Sequence, residues 1–297
     1  MKEKVAFIGL GVMGYPMAGH LSEDGHDVTV YNRTTTKARQ WIDNFKGKLA
    51  LTPAEAAMDS SIVLLCVGND ADLRSVMLGD NGVLATLRPG SIVVDHTTAS
   101  AGVAAEMFAE CKSIRATFLD APVSGGQAGA ETGKLTIMVG GDKIDFDKIE
   151  ALLSAYAKFS KLLGPIGSGQ KAKMMNQICI AGAVQGLAEA LHFGQNAGLD
   201  CAAVIDVISK GAAQSWQMEN RYHTMLKNEY EFGFAVDWMR KDLGIALAEA
   251  SKNGSTLPLT ALVDQFYAEV QKSGGGRWDT SSLLARMTSL KTKKLKD

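Results

Sequence analysis

Apolar residues in the first half of the chain fall in short runs, each closed by a glycine or a small polar residue. The runs are Val5–Ile8, Asp27–Tyr31, Ser61–Val67, Ser91–Asp95, Thr117–Asp120 and Lys134–Val139. The run from Ser61 to Val67 is almost continuously apolar, as in a parallel strand buried on both faces. Segments of helical period lie between several of the runs, after Gly14 and over about Asp145–Tyr156 among them. That alternation predicts a doubly wound α/β domain. The alternation stops at Gly164-Pro165-Ile166-Gly167-Ser168-Gly169. From Gln170 to about Asn196 the sequence predicts one helix, roughly 40 Å long. Met174, Ile178, Ala181, Val184, Leu187 and Leu191 fall on nearly all of its faces, so the pattern predicts burial all round. The remainder is helical in period over Ala202–Lys210, Gln217–Lys227, Trp238–Asn253, Leu259–Ser273 and Ser281–Leu290, broken by Pro258 and Gly274–Gly276. The pattern therefore predicts an α/β domain over residues 1–163 and an all-helical domain over residues 164–297, with a long inter-domain helix.

The junction after the first run gives the first domain a ligand. Gly9-Leu10-Gly11-Val12-Met13-Gly14 is G-x-G-x-x-G between an expected strand and an expected helix. Gly9 permits the tight turn, Gly11 lets a pyrophosphate reach the backbone, and Gly14 lets helix and strand pack closely. The free N–H groups of the helix start favour an anion. A Rossmann unit for a dinucleotide follows. At the end of the second strand, an NAD-type unit carries an acid for the ribose 2′-OH. Here Asn32-Arg33-Thr34 stands instead, a set suited to a 2′-phosphate, so the reading is NADP with NAD as the alternative. Val67, at the end of its strand, sits where such sheets bind ligands. Thr98 offers a small hydroxyl toward the nicotinamide end of the cofactor, or N-caps the next helix.

Composition narrows the class without changing the picture. The 297 residues are 46% hydrophobic and 21% charged, with a net charge of −1, and nothing points to nucleic acid or a membrane surface as partner. The four cysteines are scattered, with no metal-ligand spacing, so no metal is expected. The first strand begins by Val5, which leaves no room for a signal peptide, and a cytoplasmic location is expected.

Two further segments carry chemistry. Ser124-Gly125-Gly126 follows Pro122 in a loop with little side chain, able to present N–H groups and a hydroxyl to an anion. On the long helix, Lys173 and Asn176 share a face. A Lys desolvated there would have its pKa lowered and be suited to proton transfer, whereas Lys171 is the natural solvated neighbour.

Four motifs in order resemble the β-hydroxyacid dehydrogenases, nearly end to end. They are Phe7–Gly14, Asp120-Ala-Pro-Val-Ser-Gly-Gly126, Gly167-Ser-Gly-Gln-Lys-Ala-Lys173-Met-Met-Asn176 and Lys241-Asp242-Leu243. The family includes 3-hydroxyisobutyrate dehydrogenase, tartronate semialdehyde reductase and glyoxylate/succinic semialdehyde reductase, with 6-phosphogluconate dehydrogenase more distant. The resemblance implies an active site between the domains. It implies Lys173 as catalytic acid/base, Asn176 as substrate-orienting amide, Ser124-Gly125-Gly126 as carboxylate grip and Lys241 near the nicotinamide. It further implies homodimers or homotetramers. Trp216 aligns loosely with a substrate-pocket segment and reads equally as core. Gln177 departs from the second Asn that many members carry, which puts the pocket geometry there in question. The expected reaction is hydride transfer between NADP(H) and a short 3-hydroxy acid or its semialdehyde. An imine reductase of the same fold and a non-catalytic NADP-binding protein are the alternatives, and both are disfavoured by Lys173 together with the Ser-Gly-Gly loop.

Overall fold

The computed structural model describes residues 2–294, with side chains from 2 to 288. The chain divides into two compact units, the first ending at Lys173 and the second beginning at Met174.

The first unit is built on a nine-stranded sheet in the order β3-β2-β1-β4-β5-β6-β8-β7, with β9 also paired to β8. The strands are β1 (Lys4–Ile8), β2 (Asp27–Tyr31), β3 (Lys48–Leu49), β4 (Ile62–Leu65), β5 (Ile92–Asp95), β6 (Thr117–Asp120), β7 (Val123–Ser124), β8 (Leu135–Gly140) and β9 (Ala157–Gly164). β1 to β6 are parallel, and β8 runs antiparallel to β6 and β7. The helices between them are α1 (Gly14–Glu23), α2 (Thr35–Asn44), α3 (Pro53–Ala57), α4 (Asp70–Leu78), α5 (Ala101–Ser113), α6 (Gly126–Glu131) and α7 (Lys143–Leu153).

The strands expected from the apolar runs are present, because a strand covered on both faces must be apolar at every position. Val5, Phe7, Leu64 and Val94 enter one core layer, and Ala6, Ile8, Val63, Leu65 and Val93 enter the other. That is the period of two expressed on two buried faces. Strands β3, β7 and β9 were not legible. β3 and β7 are two residues each. β9 alternates lysine with apolar residues and leaves Phe159 and Leu163 exposed, so it lacks the pattern of a buried strand. The order of strands reverses around β1, whose neighbours are β2 and β4, and the glycine loop leaves the sheet at that switch point.

Helix α8 (Ser168–Asn196) is 29 residues long, about 43 Å. The second unit continues with α9 (Cys201–Ile208), α10 (Trp216–Lys227), α11 (Val236–Asn253), α12 (Pro258–Lys272) and α13 (Leu283–Lys294). Ala181, Val184, Leu187 and Leu191 of α8 pack in one core with Met239 and Leu243 of α11 and Val263 and Tyr267 of α12. α8 is not buried all round, contrary to its sequence pattern. Met175, Cys179 and Phe193 are exposed, because in this chain the packing helices cover one side of it. Asn69, Ser100, Asp200 and Ser215 cap α4, α5, α9 and α10, accepting from their first turns. Ser100, not Thr98, caps α5, which removes one of the two roles expected for Thr98. Among the described residues no helix is long and apolar enough to cross a membrane.

Candidate functional site

The loop after β1 has the form a dinucleotide pyrophosphate requires. Gly9 has φ +98° and donates its N–H to the Tyr31 carbonyl at 2.9 Å. A Cβ there would run into the Cys66 carbonyl oxygen, so the turn demands glycine. Gly11 is exposed, and a Cβ on it would meet nothing within 4 Å, so its backbone faces open space. α1 starts without a side-chain cap, which leaves its first turn to an anion. Bare backbone and an uncapped helix start fit the expected cofactor. Leu10, Val12 and Met13 complete the loop. Leu10 is buried, Met13 is half-buried and packs against the core, and Val12 is exposed.

At the end of β2 the expected 2′-phosphate set divides. The Asn32 carboxamide is committed to the backbone, its Oδ1 accepting from the Leu10 N–H at 2.8 Å and its Nδ2 donating to the Thr34 carbonyl at 3.0 Å. Asn32 thus fixes the glycine loop. Arg33 is 85% exposed, and its Nη1 donates to Asp72 Oδ1 of α4 at 3.1 Å. A carboxylate thus reaches Arg33 from another element, which sequence spacing could not reveal. Thr34 stands at the N-cap of α2 and makes no side-chain cap bond.

The ends of β4, β5 and β6 form a buried polar frame. The Val67 N–H donates to Thr97 Oγ1 at 3.0 Å. Gln170, on the first turn of α8, donates from Nε2 to the Thr97 carbonyl at 2.7 Å and accepts through Oε1 from the Ala99 N–H at 3.0 Å. Asp120 accepts the Gly167 N–H on Oδ1 at 2.6 Å and the Gln170 N–H on Oδ2 at 2.8 Å. Burial pushes the Asp120 carboxyl up to about 6, and those backbone donors hold it back from going further. Thr98, next along, is half-buried. His96 is buried, and burial drives it down to about 4. Its Nδ1–H donates to the Ala121 carbonyl at 2.7 Å, leaving Nε2 to accept from the Tyr156 hydroxyl at 2.8 Å. Asp120 and Gln170 both lie inside the family motifs, yet the resemblance implies no role for either. The signal was present in Asp120, a carboxylate that closes an apolar strand. His96 gave no signal of its own.

Ser124 sits in β7 opposite Thr136 of β8, and Gly125 and Gly126 follow with φ +137° and +62°. A Cβ on Gly126 would meet nothing within 4 Å, so this loop too presents bare backbone. Lys173, on α8 in the same unit, is 8% exposed, whereas Lys171 is exposed.

In the second unit, Asn176 Nδ2 donates to Gln177 Oε1 at 2.8 Å, and Gln177 Nε2 donates to Asp242 Oδ2 of α11 at 2.8 Å. Gln177 is buried and ties the Asn176 amide to α11. Lys241 Nζ lies 3.2 Å from Asp242 Oδ1 and 5.6 Å from the centre of the Trp238 ring. Trp216 is 52% exposed, so it is not core. The Arg221 guanidinium lies over both the Trp216 and Phe232 rings and bonds Asp279.

Residues 4–175 match the NAD-binding domain of 6-phosphogluconate dehydrogenase, and residues 167–287 match the NAD-binding domain of NADP-dependent 3-hydroxyisobutyrate dehydrogenase. The chain belongs to the β-hydroxyacid dehydrogenase family. This family member is 65% identical over 96% of its length to an uncharacterised oxidoreductase of Shewanella frigidimarina, of which it covers 98%. It is 40% identical over 97% of its length to a probable 3-hydroxyisobutyrate dehydrogenase-like protein of Arabidopsis thaliana, of which it covers 86%. Its fold superposes on Mycobacterium tuberculosis 3-hydroxyisobutyrate dehydrogenase, solved with L-serine, at a TM-score of 0.87 and 28% identity, covering 97% of this chain and 99% of that one. The family is that of NAD(P)-dependent hydroxyacid dehydrogenases, and its cofactor is a nicotinamide dinucleotide.

Proposed function

We propose that the protein exchanges a hydride between NADP(H) and a short 3-hydroxy acid or its semialdehyde, with Lys173 as general acid/base. The observation that carries this reading is the burial of Lys173 on the first turns of α8, in the unit that also holds the glycine loop and the Ser-Gly-Gly loop. The bound nicotinamide supplies the hydride acceptor or donor. In oxidation Lys173 takes the hydroxyl proton of the substrate, and in reduction its ammonium gives one to the carbonyl oxygen. Asn176, one helical turn further on, orients that oxygen. The Ser124 hydroxyl and the Gly125 and Gly126 amides hold the carboxylate. Gly9 to Gly14 hold the pyrophosphate, Val67 and Thr98 flank the nicotinamide with Lys241, and Trp216 contacts substrate. Arg33 with Thr34 takes the 2′-phosphate, while Asn32 acts through the loop it braces. The protein works as a cytoplasmic homodimer or homotetramer, with residues 1–163 binding the dinucleotide and residues 164–297 supplying the helical substrate and oligomerisation domain.

The test is a spectrophotometric panel with NADPH and NADP⁺ against small hydroxy acids, semialdehydes and cyclic imines. Turnover of hydroxy acids or semialdehydes is expected. Turnover of imines alone, or tight NADPH binding without any turnover, would replace this reading with one of the two alternatives. Within it, Lys173→Ala lowers kcat at least about 100-fold while NADPH still binds, since positioned acid/base groups contribute roughly 10²–10⁴ in rate. Lys173→Arg does not rescue, because a guanidinium stays protonated. Lys171→Ala stays near the parent rate, and the reverse pattern would mean the wrong lysine has been assigned.

A further inference from the structure

The polar frame at the strand ends is costly for a part that merely starts a helix. Asp120 and Gln170 are both fully buried, at 0% exposure. A hydroxyl of Ser or Thr at an N-cap would satisfy the start of α8 without desolvating a carboxylate. Instead the carboxylate spans two separate amides, Gly167 and Gln170, and so fixes both the approach to the helix and its first turn. The Gln170 carboxamide then fastens that turn to the backbone on both sides of Thr98, through the Thr97 carbonyl and the Ala99 N–H. Thr97 in turn holds the end of β4 through the Val67 N–H. The backbone is closed around this arrangement. A side chain at Gly140 or Gly169 would collide with Asp120. Gln170 lies three residues before Lys173, on the same face of α8. Four hydrogen bonds thus tie the first turn of the helix and its approach to the strand ends, and Lys173 stands one turn from the tie.

We propose that Asp120 and Gln170 are positioning residues for Lys173, locking the first turn of α8 in the register in which its amine meets the reacting oxygen. The proposal rests on Lys173 being the acid/base. A misplacement of about 1 Å in a catalytic group costs on the order of 10²-fold in rate, so the frame is worth its burial if it prevents one.

The experiment compares the parent with Gln170→Met, which keeps the side chain's length and removes both of its bonds, and with Asp120→Asn. Two measurements are made on each. The first needs no turnover. Competitive labelling with acetic anhydride, followed by mass spectrometry, reads the reactivity of Lys173 relative to the exposed Lys171 in the same molecule. The ratio is expected to change at least about threefold in both variants. The second is steady-state kinetics with the best substrate of the panel. kcat is expected to fall about 10- to 100-fold with KM for NADPH within about twofold, and the solvent deuterium isotope effect on kcat to rise as proton transfer becomes slow. A helix start weakened only in stability would lower the yield of folded protein and the Tm, but would leave the labelling ratio and the isotope effect of the folded fraction unchanged, and that result overturns the proposal. If Asp120→Asn does not fold, Gln170→Met decides alone. Lys173→Ala is run beside them. Should it keep the parent kcat, the acid/base reading fails by itself, while the labelling ratio still says whether the frame controls Lys173.

Discussion

The two units employ buried polar side chains in different ways. In the first unit they face backbone. Asp120 accepts from two amides, Gln170 bonds a carbonyl and an amide, and His96 bonds the Ala121 carbonyl, with only its second nitrogen turned to a side chain, the Tyr156 hydroxyl. In the second unit those buried between helices face one another. Gln177 meets Asp242, and Arg240 grips Asp264 through two nitrogens, whereas Asp279, outside the helices, accepts the Phe234 and Ser281 amides as well as Arg221. The cause is where backbone bonds remain to be made. A parallel sheet leaves its loops at the strand ends with amides and carbonyls that no ladder satisfies, and side chains must supply partners. A helix satisfies its own backbone, so a polar side chain buried between helices must find another side chain. Side chains in the first unit therefore shape backbone for a ligand, whereas those in the second fix helices and one another.

The largest effect that sharpens this contrast is in the second unit. Gln177→Leu removes a donor to the buried Asp242 and the acceptor for Asn176. A hydrogen bond to a charged group is worth about 1.5–3 kcal/mol, so urea unfolding followed by tryptophan fluorescence should show a loss of about 2–3 kcal/mol. Trp216, Trp238 and Trp278 all report on this unit. Affinity for 2′,5′-ADP, the part of the cofactor that reaches none of these residues in the proposed reading, should stay within about twofold, since sites without shared partners act independently. A large loss of 2′,5′-ADP affinity with little loss of stability would contradict the division.

The same contrast explains what could be read from the chain. Backbone-shaping sites need particular residues close together in sequence, since the turn itself is the site. The turns at Gly9 and at Gly125-Gly126 were therefore legible as turns, and Gly9, Gly125 and Gly126 do take positive φ. Side-chain pairs between helices join positions far apart, as Gln177 and Asp242 do, and no local pattern marks them. Gln177 looked like an irregularity in the sequence, and its reach to Asp242 is visible only once α8 and α11 are folded. Residues that support a loop from behind fall between these cases. Asp120 stands in a family motif, but its partners at Gly167 and Gln170 lie more than a strand and a helix away. Helix α8 misled in the other direction, because apolar period shows which faces could be buried and not which are covered within one chain.

A second effect of about 2 kcal/mol comes from the first unit and depends on pH. Two buried groups there titrate in opposite senses. His96 is held down to about 4, so its contribution is present above its unfolded value near 6.5 and is lost as pH falls toward 4. Asp120 is raised to about 6, so its contribution is present below its unfolded value of 3.8 and is lost as pH rises through 6. Between pH 4 and 6 the two slopes oppose each other. Asp120→Asn removes one of them. Relative to the parent, the variant should lose about 2 kcal/mol of stability when pH is taken from 7 to 4.5. Denaturant unfolding of both proteins at the two pH values measures the difference. Parallel changes in parent and variant would mean that the Asp120 carboxyl is not perturbed by its burial.

The smallest effect lies at the rim of the first unit, where a side chain faces solvent and neither habit applies. Arg33 is 85% exposed and paired with Asp72, which is 29% exposed. An exposed pair of this kind contributes roughly 0–1 kcal/mol to stability, so it is not there to hold the fold. Its consequence is for the cofactor. A 2′-phosphate on Arg33 has to compete with the Asp72 carboxylate and sit near its charge. Arg33→Ala should therefore weaken NADP⁺ about tenfold, the low end for a charged hydrogen bond to phosphate, and leave NAD⁺ nearly unchanged. Asp72→Ala should act in the reverse sense. It frees the guanidinium and removes the repulsion, so NADP⁺ binds about two- to fivefold more tightly, a gain of under 1 kcal/mol, while NAD⁺ does not. Fluorescence titration with both cofactors on both variants separates the possibilities, and the gain should shrink in high salt, as an exposed charge effect must. If Asp72→Ala leaves the NADP⁺/NAD⁺ ratio where it was and Arg33→Ala weakens both cofactors alike, then Arg33 serves the surface and the end of β2 does not choose the cofactor.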